Sequence, residues 1–312
     1  MSVVCVTLNP ALDLTGQLSE LKIDTVNLID QANQTPGGKG INVARVLADM
    51  GTTSTVTGWL GQDNLEPFTQ LFDEIKANDQ FLRQPGATRT NVKLAEVNGQ
   101  VTDVNFPGMA IDHTAVQKLE QKLVELAEQN EWFVLAGSLP RGVSPTLYQR
   151  WIDLLNQHGA KVIFDSSGDA FSYGLEAAPY LVKPNDIELG QWIGHELIDE
   201  SAIVAAARQL IAKGITHVLV SRGSNGVIWV KADKVLKATP PKINVVSTVG
   251  AGDSMVAAMT HALTQGWDDE KAITYATAIS ALAVTQVSVG ISDQQKLESL
   301  TQQVQVNELP NT

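Results

Sequence analysis

Short runs rich in β-branched residues recur through this chain and alternate with longer amphipathic stretches, and that rhythm restricts the fold more than any other feature. VVCVTL (3–8), STVTGWL (54–60), WFVLAG (132–137), KVIFDSS (161–167), YLVKP (180–184) and HVLVSRG (217–223) read as strands. Between them, 40–50, 64–78, 112–129, 145–157 and 200–213 carry the spacing of helices with one apolar face. Strands separated by helices can pair only through crossovers, so the pattern predicts a mostly parallel sheet covered on both faces, an α/β/α sandwich. At 312 residues the chain is long enough to bury such a core in one domain.

Two stretches break the rhythm. Residues 11–30 and 91–106 lie outside the strand-helix alternation, and the second holds NVKLAEV and VTDVNFP on either side of Asn98-Gly99, a strong hairpin signal. These pieces predict a small antiparallel β layer standing off the main sheet. No internal repeat, low-complexity tract or long linker accompanies them, so the layer reads as an excursion from one domain spanning 1–312.

The net charge of −12 argues against nonspecific nucleic-acid binding and sets a condition on any anionic ligand. The bulk field opposes such a ligand, so its site must supply local lysines, arginines and backbone N–H groups. The single cysteine, Cys5, lies inside an apolar strand and reads as a small buried hydrophobe in a reducing compartment. No apolar run reaches the roughly 18 residues that span a bilayer, and no basic leader precedes the first strand, so a cytoplasmic protein without membrane contact is expected. P-loop, complete dinucleotide fingerprint, HExxH, CxxC and GxSxG patterns are absent, and the five histidines share no metal-ligand spacing.

What remains is a set of glycine-rich turns, most of them where a strand hands over to a helix, the region where open α/β sheets collect ligands. In STVGAGDSM (247–255) the glycines free backbone N–H groups and an apolar helix follows, which makes an anion hole. Asp253 within it has two readings. It is either an N-cap that accepts backbone N–H bonds or a base that takes a proton from a hydroxyl while the amides hold a transferring phosphoryl group. KPNDIEL (183–189) is similarly double: Asn185 and Glu188 fit a capping box, and they also fit outer partners of a hydrated Mg²⁺. SRGSNG (221–226) is either a tight turn before the strand VIWV or a turn on which a nucleotide lies.

Taken in order, GGKGIN (37–42), GSLP (137–140), KPNDIE, SRGSNG and GAGD resemble the ribokinase-like family of ATP-dependent sugar kinases nearly from end to end. TLNPALD, the lysine of GGKGIN, TRTNVKL, VTDVNF, SLPRGVSP and STVGAGDSM are similar to its bacterial phosphosugar branch. The resemblance implies a ribokinase-like three-layer sandwich with a β-sheet lid and ATP-dependent phosphorylation of a sugar phosphate, D-fructose 1-phosphate foremost. Tagatose 6-phosphate and fructose 6-phosphate are the alternative acceptors, and a noncatalytic phosphosugar sensor on the same fold is the rival reading.

The same resemblance implies roles at matching positions. Asp253 is the expected base, with the backbone of Gly250, Ala251 and Gly252 as the anion hole. Asp13, Gly38 and Asn42 are expected at sugar hydroxyls, while Lys39, Arg89 and Ser138, with Lys93 as a weaker candidate, hold the phosphate already on the substrate. Asn185 and Glu188 serve Mg²⁺ and ATP phosphates largely through water, and Ser221, Gly223 and Gly226 lie along the nucleotide. The chain departs from many relatives at Ser247, where they carry aspartate in a segment that often contributes to a monovalent-cation site. With Arg89 at its edge, the β layer is expected to close over the sugar and to pair with that of a second subunit in a homodimer.

Overall fold

In the computed structural model, which describes residues 2–310, the predicted strands line up in one sheet. From one edge its order is Gln305–Glu308, Val235–Thr239, Val227–Val230, His217–Ser221, Leu181–Val182, Lys161–Asp165, Trp132–Ala136, Val3–Thr7, Ser54–Gly61 and Asn78–Asp79, with Leu82–Gln84 also pairing on Ser54–Gly61. Pairing is parallel from His217–Ser221 through to the Asn78 edge and antiparallel across the three strands beyond Ser221.

The central strands are apolar on both faces because both are covered. In Val3–Thr7, Val3 and Cys5 join one hydrophobic cluster while Val4 and Val6 join the other, as side-chain alternation requires. The first cluster packs helices Lys39–Asp49, Glu66–Glu74, Ala251–Thr264, Asp269–Ala283 and Gln294–Gln303 against the sheet. The second packs His113–Ala127, Leu147–Gln157, Gly168–Leu175 and Glu200–Ala212 on the opposite face. Cys5 is fully buried, and burial pushes its thiol pKa up, which keeps it an inert hydrophobe. Among the described residues no helix is long and apolar enough to cross a membrane.

The β layer forms, with two corrections to the sequence reading. Its four strands run in the order Gln31–Gly37, Ala11–Leu18, Thr90–Glu96, Val101–Val104, so one strand lies beyond residue 30, and residues 19–30 form an irregular connection. The layer is also not wholly antiparallel: Ala11–Leu18 pairs parallel to Thr90–Glu96, because each leaves the main sheet through a short loop after a strand of the same direction, Val3–Thr7 and Leu82–Gln84. The hairpin at Asn98-Gly99 closes as expected. Glu96 N–H reaches Gln100 O at 2.8 Å, and Gly99 takes the positive φ of 90° that the tight loop demands.

Candidate active site

Parallel strands deliver their carboxyl ends to one rim of the sheet, and the sequence places a short polar loop at each. Thr7, Ala136-Gly137-Ser138 and Ser166-Ser167 come from three adjacent strands, and helix Lys39–Asp49 begins beside them. Its first residues sit this close only because Gly38 adopts a φ of 133°, and a Cβ there would fall 2.6 Å from the Thr7 methyl. Together with the underside of the β layer these loops enclose a cleft of ≈ 250 Å³. All six residues predicted on the sugar side, Asp13, Gly38, Lys39, Asn42, Arg89 and Ser138, line it, joined by Asn9 and Asn91. A second cavity of ≈ 410 Å³ continues under the layer, shares Asp13 and Asn42 with the first, and adds Arg45 and Lys93.

Asp253, 6% exposed, does not itself line the cleft but bonds to two residues that do, Lys39 and Asn42. Helix Ala251–Thr264 starts at Gly250, whose φ is 78°, and no side chain caps it, so Asp253 is not its N-cap. The carboxylate points the other way: Oδ2 accepts from Asn42 Nδ2 at 2.7 Å and Oδ1 from Lys39 Nζ at 3.2 Å. No side chain caps this helix start; within its turn the Ala251 N–H donates to Thr248 O at 3.4 Å, and the turn stands beside a carboxylate held by two donors. Ser247 closes the approach to this turn, its hydroxyl accepting from Val249 N–H at 3.2 Å.

Lys39 is shared. Its ammonium also donates to Asp165 Oδ2 at 3.0 Å, and the other oxygen of Asp165 faces Lys183 Nζ at 3.5 Å. Burial would lower the Lys39 pKa, but Asp165 and Asp253 outweigh it and hold the group firmly protonated. Burial would likewise raise Asp165, yet Lys183 and Lys39 keep it below the ordinary carboxylate range. Asp165 and Lys183 were not singled out from the sequence. Each stands inside a stretch read for other reasons, the strand KVIFDSS and the turn KPNDIEL, and only the parallel pairing of Lys161–Asp165 with Leu181–Val182 brings them together.

Arg89 sits at the root of the β layer. Its guanidinium donates to the carbonyls of Asn9 (2.9 Å), Pro10 (3.3 Å) and Phe106 (3.0 Å), and burial lowers its pKa against the opposing pull of Asp13. Asp13 in turn accepts from Asn91 Nδ2 at 3.1 Å and Lys93 Nζ at 2.9 Å, so the polar underside of the β layer is stitched together across its strands. Ser138 Oγ accepts from Asn9 Nδ2 at 3.2 Å.

The predicted nucleotide residues form a second group, further along the rim, that does not line this cleft. Asn185 and Glu188 form the capping box: Glu188 N–H donates to Asn185 Oδ1 at 2.7 Å, and Asn185 N–H to Glu188 Oε2 at 2.9 Å. Asn185 bridges to Ser221, whose N–H reaches Pro184 O at 3.0 Å, so the two turns meet. Gly223 begins a short 3₁₀ turn and Gly226 ends it at a φ of 83°, with Arg222 pinned to Glu200 at 2.9 Å. The two groups are linked through Lys183, whose Nζ lies 3.3 Å from the position a Cβ on Gly252 would take. Among the described residues no group of three or more histidines, cysteines or acids is disposed to hold a metal.

Residues 3–296 match the model of the pfkB family of carbohydrate kinases. The 1-phosphofructokinase of Vibrio cholerae is 48% identical over 307 residues, covering 98% of this chain and 97% of its own, and that of Haemophilus influenzae is 44% identical with 98% of each covered. Among solved structures, phosphofructokinase-2 of Escherichia coli in complex with potassium superposes with a TM-score of 0.90 at 28% identity, covering 96% of this chain and 98% of its own. The same enzyme has also been solved as a tetrameric inhibited form.

Proposed function

The chain belongs to the pfkB family of carbohydrate kinases, and from that premise we propose that it transfers the γ-phosphoryl group of ATP to the free primary hydroxyl of D-fructose 1-phosphate, giving D-fructose 1,6-bisphosphate and ADP. The observation that carries this reading is Asp253: a buried carboxylate beside a glycine turn without a side-chain cap, bonded directly to Lys39 and Asn42 of a cleft lined by cations. In the reaction the acceptor hydroxyl oxygen bonds to phosphorus as its proton passes to Asp253 and the bond to the ADP oxygen breaks. Asn42 and Lys39 aim the carboxylate, and the N–H groups of Gly250–Gly252 hold the charge on the transferring group.

The site fits a sugar phosphate in a protein of net charge −12. Lys39 and Arg89 line the cleft, Lys93 adjoins it, and Lys183 lies beneath, supplying the local positive field that the chain as a whole lacks. Lys39 has one N–H left beyond its two carboxylates, directed at a cleft to which its side chain is 40% exposed. The donor phosphates fit the uncapped helix start, and Ser221, Gly223 and Gly226 would lie along the nucleotide. For Mg²⁺ the fit is to a hydrated ion: Asn185 and Glu188 spend most of their capacity on the capping box, and the second oxygen of Glu188 together with Asn185 would hold coordinated water. The ion, when bound, would neutralise phosphate charge.

The lid gives the reading its oligomeric part. Val104 on its edge strand and Phe106 just beyond it, with Ile23, Val26 and Leu28 in the loop before Gln31, are exposed, and a four-stranded layer gains by covering such residues. We assign that cover to the lid of a second copy.

Coupled measurement of ADP release with fructose 1-phosphate, fructose 6-phosphate and tagatose 6-phosphate tests the substrate. The highest kcat/KM is expected for fructose 1-phosphate. A higher value for either 6-phosphate transfers the assignment to that ketose, and no ADP release with any of the three supports a sensor.

A further inference from the structure

The wall behind the anion hole is a loop without regular secondary structure, residues 285–292, that follows helix Asp269–Ala283. Two contacts tie it to the glycine turn. Val284 O accepts from the N–H groups of Val246 (2.8 Å) and Ser247 (3.2 Å), which fixes the strand of chain entering the turn. The Val289 side chain then lies against Gly250 itself, its Cγ2 2.7 Å from the point where a Cβ would stand. Gly250 is the left-handed residue that opens the turn into the helix, so the position of Val289 limits how that residue can relax.

What holds Val289 is a side chain, since no ladder or helix reaches it. The amide of Gln286 donates both of its N–H bonds forward, to Ser288 O at 2.8 Å and to Gly290 O at 2.5 Å, the carbonyls immediately before and after Val289. Its own oxygen accepts the Ser292 hydroxyl. Ile291 N–H is fastened separately to Asp49 at 2.7 Å. One neutral fork thus clamps the three-residue peptide that presses on the anion hole.

We propose that Gln286 is a positioning residue for phosphoryl transfer: by bridging Ser288 and Gly290 it seats Val289 against Gly250 and keeps the Gly250–Gly252 N–H groups aimed at the transferring phosphate. The inference rests on the reading of that turn as the anion hole. It makes Gln286, which touches no substrate, act on the chemical step and not on sugar binding, because the sugar cleft is built from other elements.

The test is Gln286→Glu, which keeps the length and shape of the side chain but replaces both donors with a carboxylate that repels the two carbonyls. A small displacement of transition-state donors costs rate, so kcat should fall roughly tenfold or more while KM for fructose 1-phosphate stays about constant. Val289→Ala should lower kcat in the same direction with unchanged KM, and it carries the test if the glutamate variant does not fold. A kcat close to wild type in the folded variants, or a loss confined to KM, overturns the proposal. The outcome separates from the underlying reading: if Asp253→Asn abolishes turnover while Gln286→Glu does not, only the role of Gln286 falls, and if Asp253→Asn is active, the anion-hole reading falls with it.

Discussion

Replacing Asp165 by asparagine isolates the charge network beneath the cleft. The side chain is 3% exposed and pairs with Lys183, 6% exposed, and with Lys39, 40% exposed. The two lysines are not equivalent. Lys39 keeps Asp253 and reaches solvent, so losing Asp165 there costs little. Among the described residues Asp165 is the only acid within ion-pair distance of Lys183, so the asparagine leaves a buried ammonium with a single neutral acceptor. Breaking a buried pair from one side costs roughly 3–5 kcal/mol, and the remaining amide oxygen places the expectation at about 3 kcal/mol. For a chain of this size that is a fall of about 5 °C in the melting temperature. The reasoning makes a sharper claim about Asp165→Asn combined with Lys183→Met. Removing both members eliminates the unpaired charge, so the double variant should return to within about 1 kcal/mol of wild type. Urea unfolding followed by tryptophan fluorescence measures both. A double variant as unstable as the single would show that the loss comes from packing or backbone shifts and would refute the electrostatic account.

Lys39→Ala and Arg89→Ala should each raise KM for the phosphosugar, roughly 10- to 100-fold for a lost charge-assisted bond, with KM for ATP little changed in steady-state assays. Equal losses for both substrates would remove them from the sugar-phosphate site. His217 is buried against Tyr180 and Trp229, and neither ring nitrogen finds a partner among the described residues. Burial, aided by Lys231, lowers its pKa to about 4. The unfolded chain therefore binds the extra proton first, so this contribution is intact above pH 6.5 and is lost, up to about 3 kcal/mol, as pH falls toward 4. His217→Phe should flatten that part of the stability–pH curve, and an unchanged slope would contradict the assignment. Light scattering at micromolar concentration should report a dimer. Hydrogen exchange across residues 88–106 should slow on adding fructose 1-phosphate if the β layer closes over the sugar, and unchanged exchange would remove the lid role.

The sequence discloses elements whose burial differs between faces or whose residues are strongly β-branched, which is why the central strands and five helices were readable. Gln31–Gly37 escaped because it has no β-branched apolar residue and is mostly exposed, and main-chain bonds to Ala11–Leu18 make it a strand. Helix Asp269–Ala283 escaped for the opposite reason: nine of its residues are buried, so its alanine-rich sequence has little polar face to set a period. At the site, the glycine turns and the six cleft residues were legible as motifs. Asp253 was ambiguous because a capping aspartate and a catalytic one look alike in sequence, and only the direction of its carboxylate, toward Lys39 and Asn42, separates them. The Asp165–Lys183 pair was invisible because its members belong to different strands and meet only through sheet order.

The most direct test of the account is the turnover of Asp253→Asn. Asparagine preserves the shape of the side chain, and because Asp253 does not cap its helix, the fold should not depend on its charge. Isothermal titration should find fructose 1-phosphate and ATP still bound, while kcat falls roughly 10²- to 10⁴-fold with the loss of a positioned base. A folded variant that binds both substrates and turns over within tenfold of wild type would contradict the claim that Asp253 takes the proton.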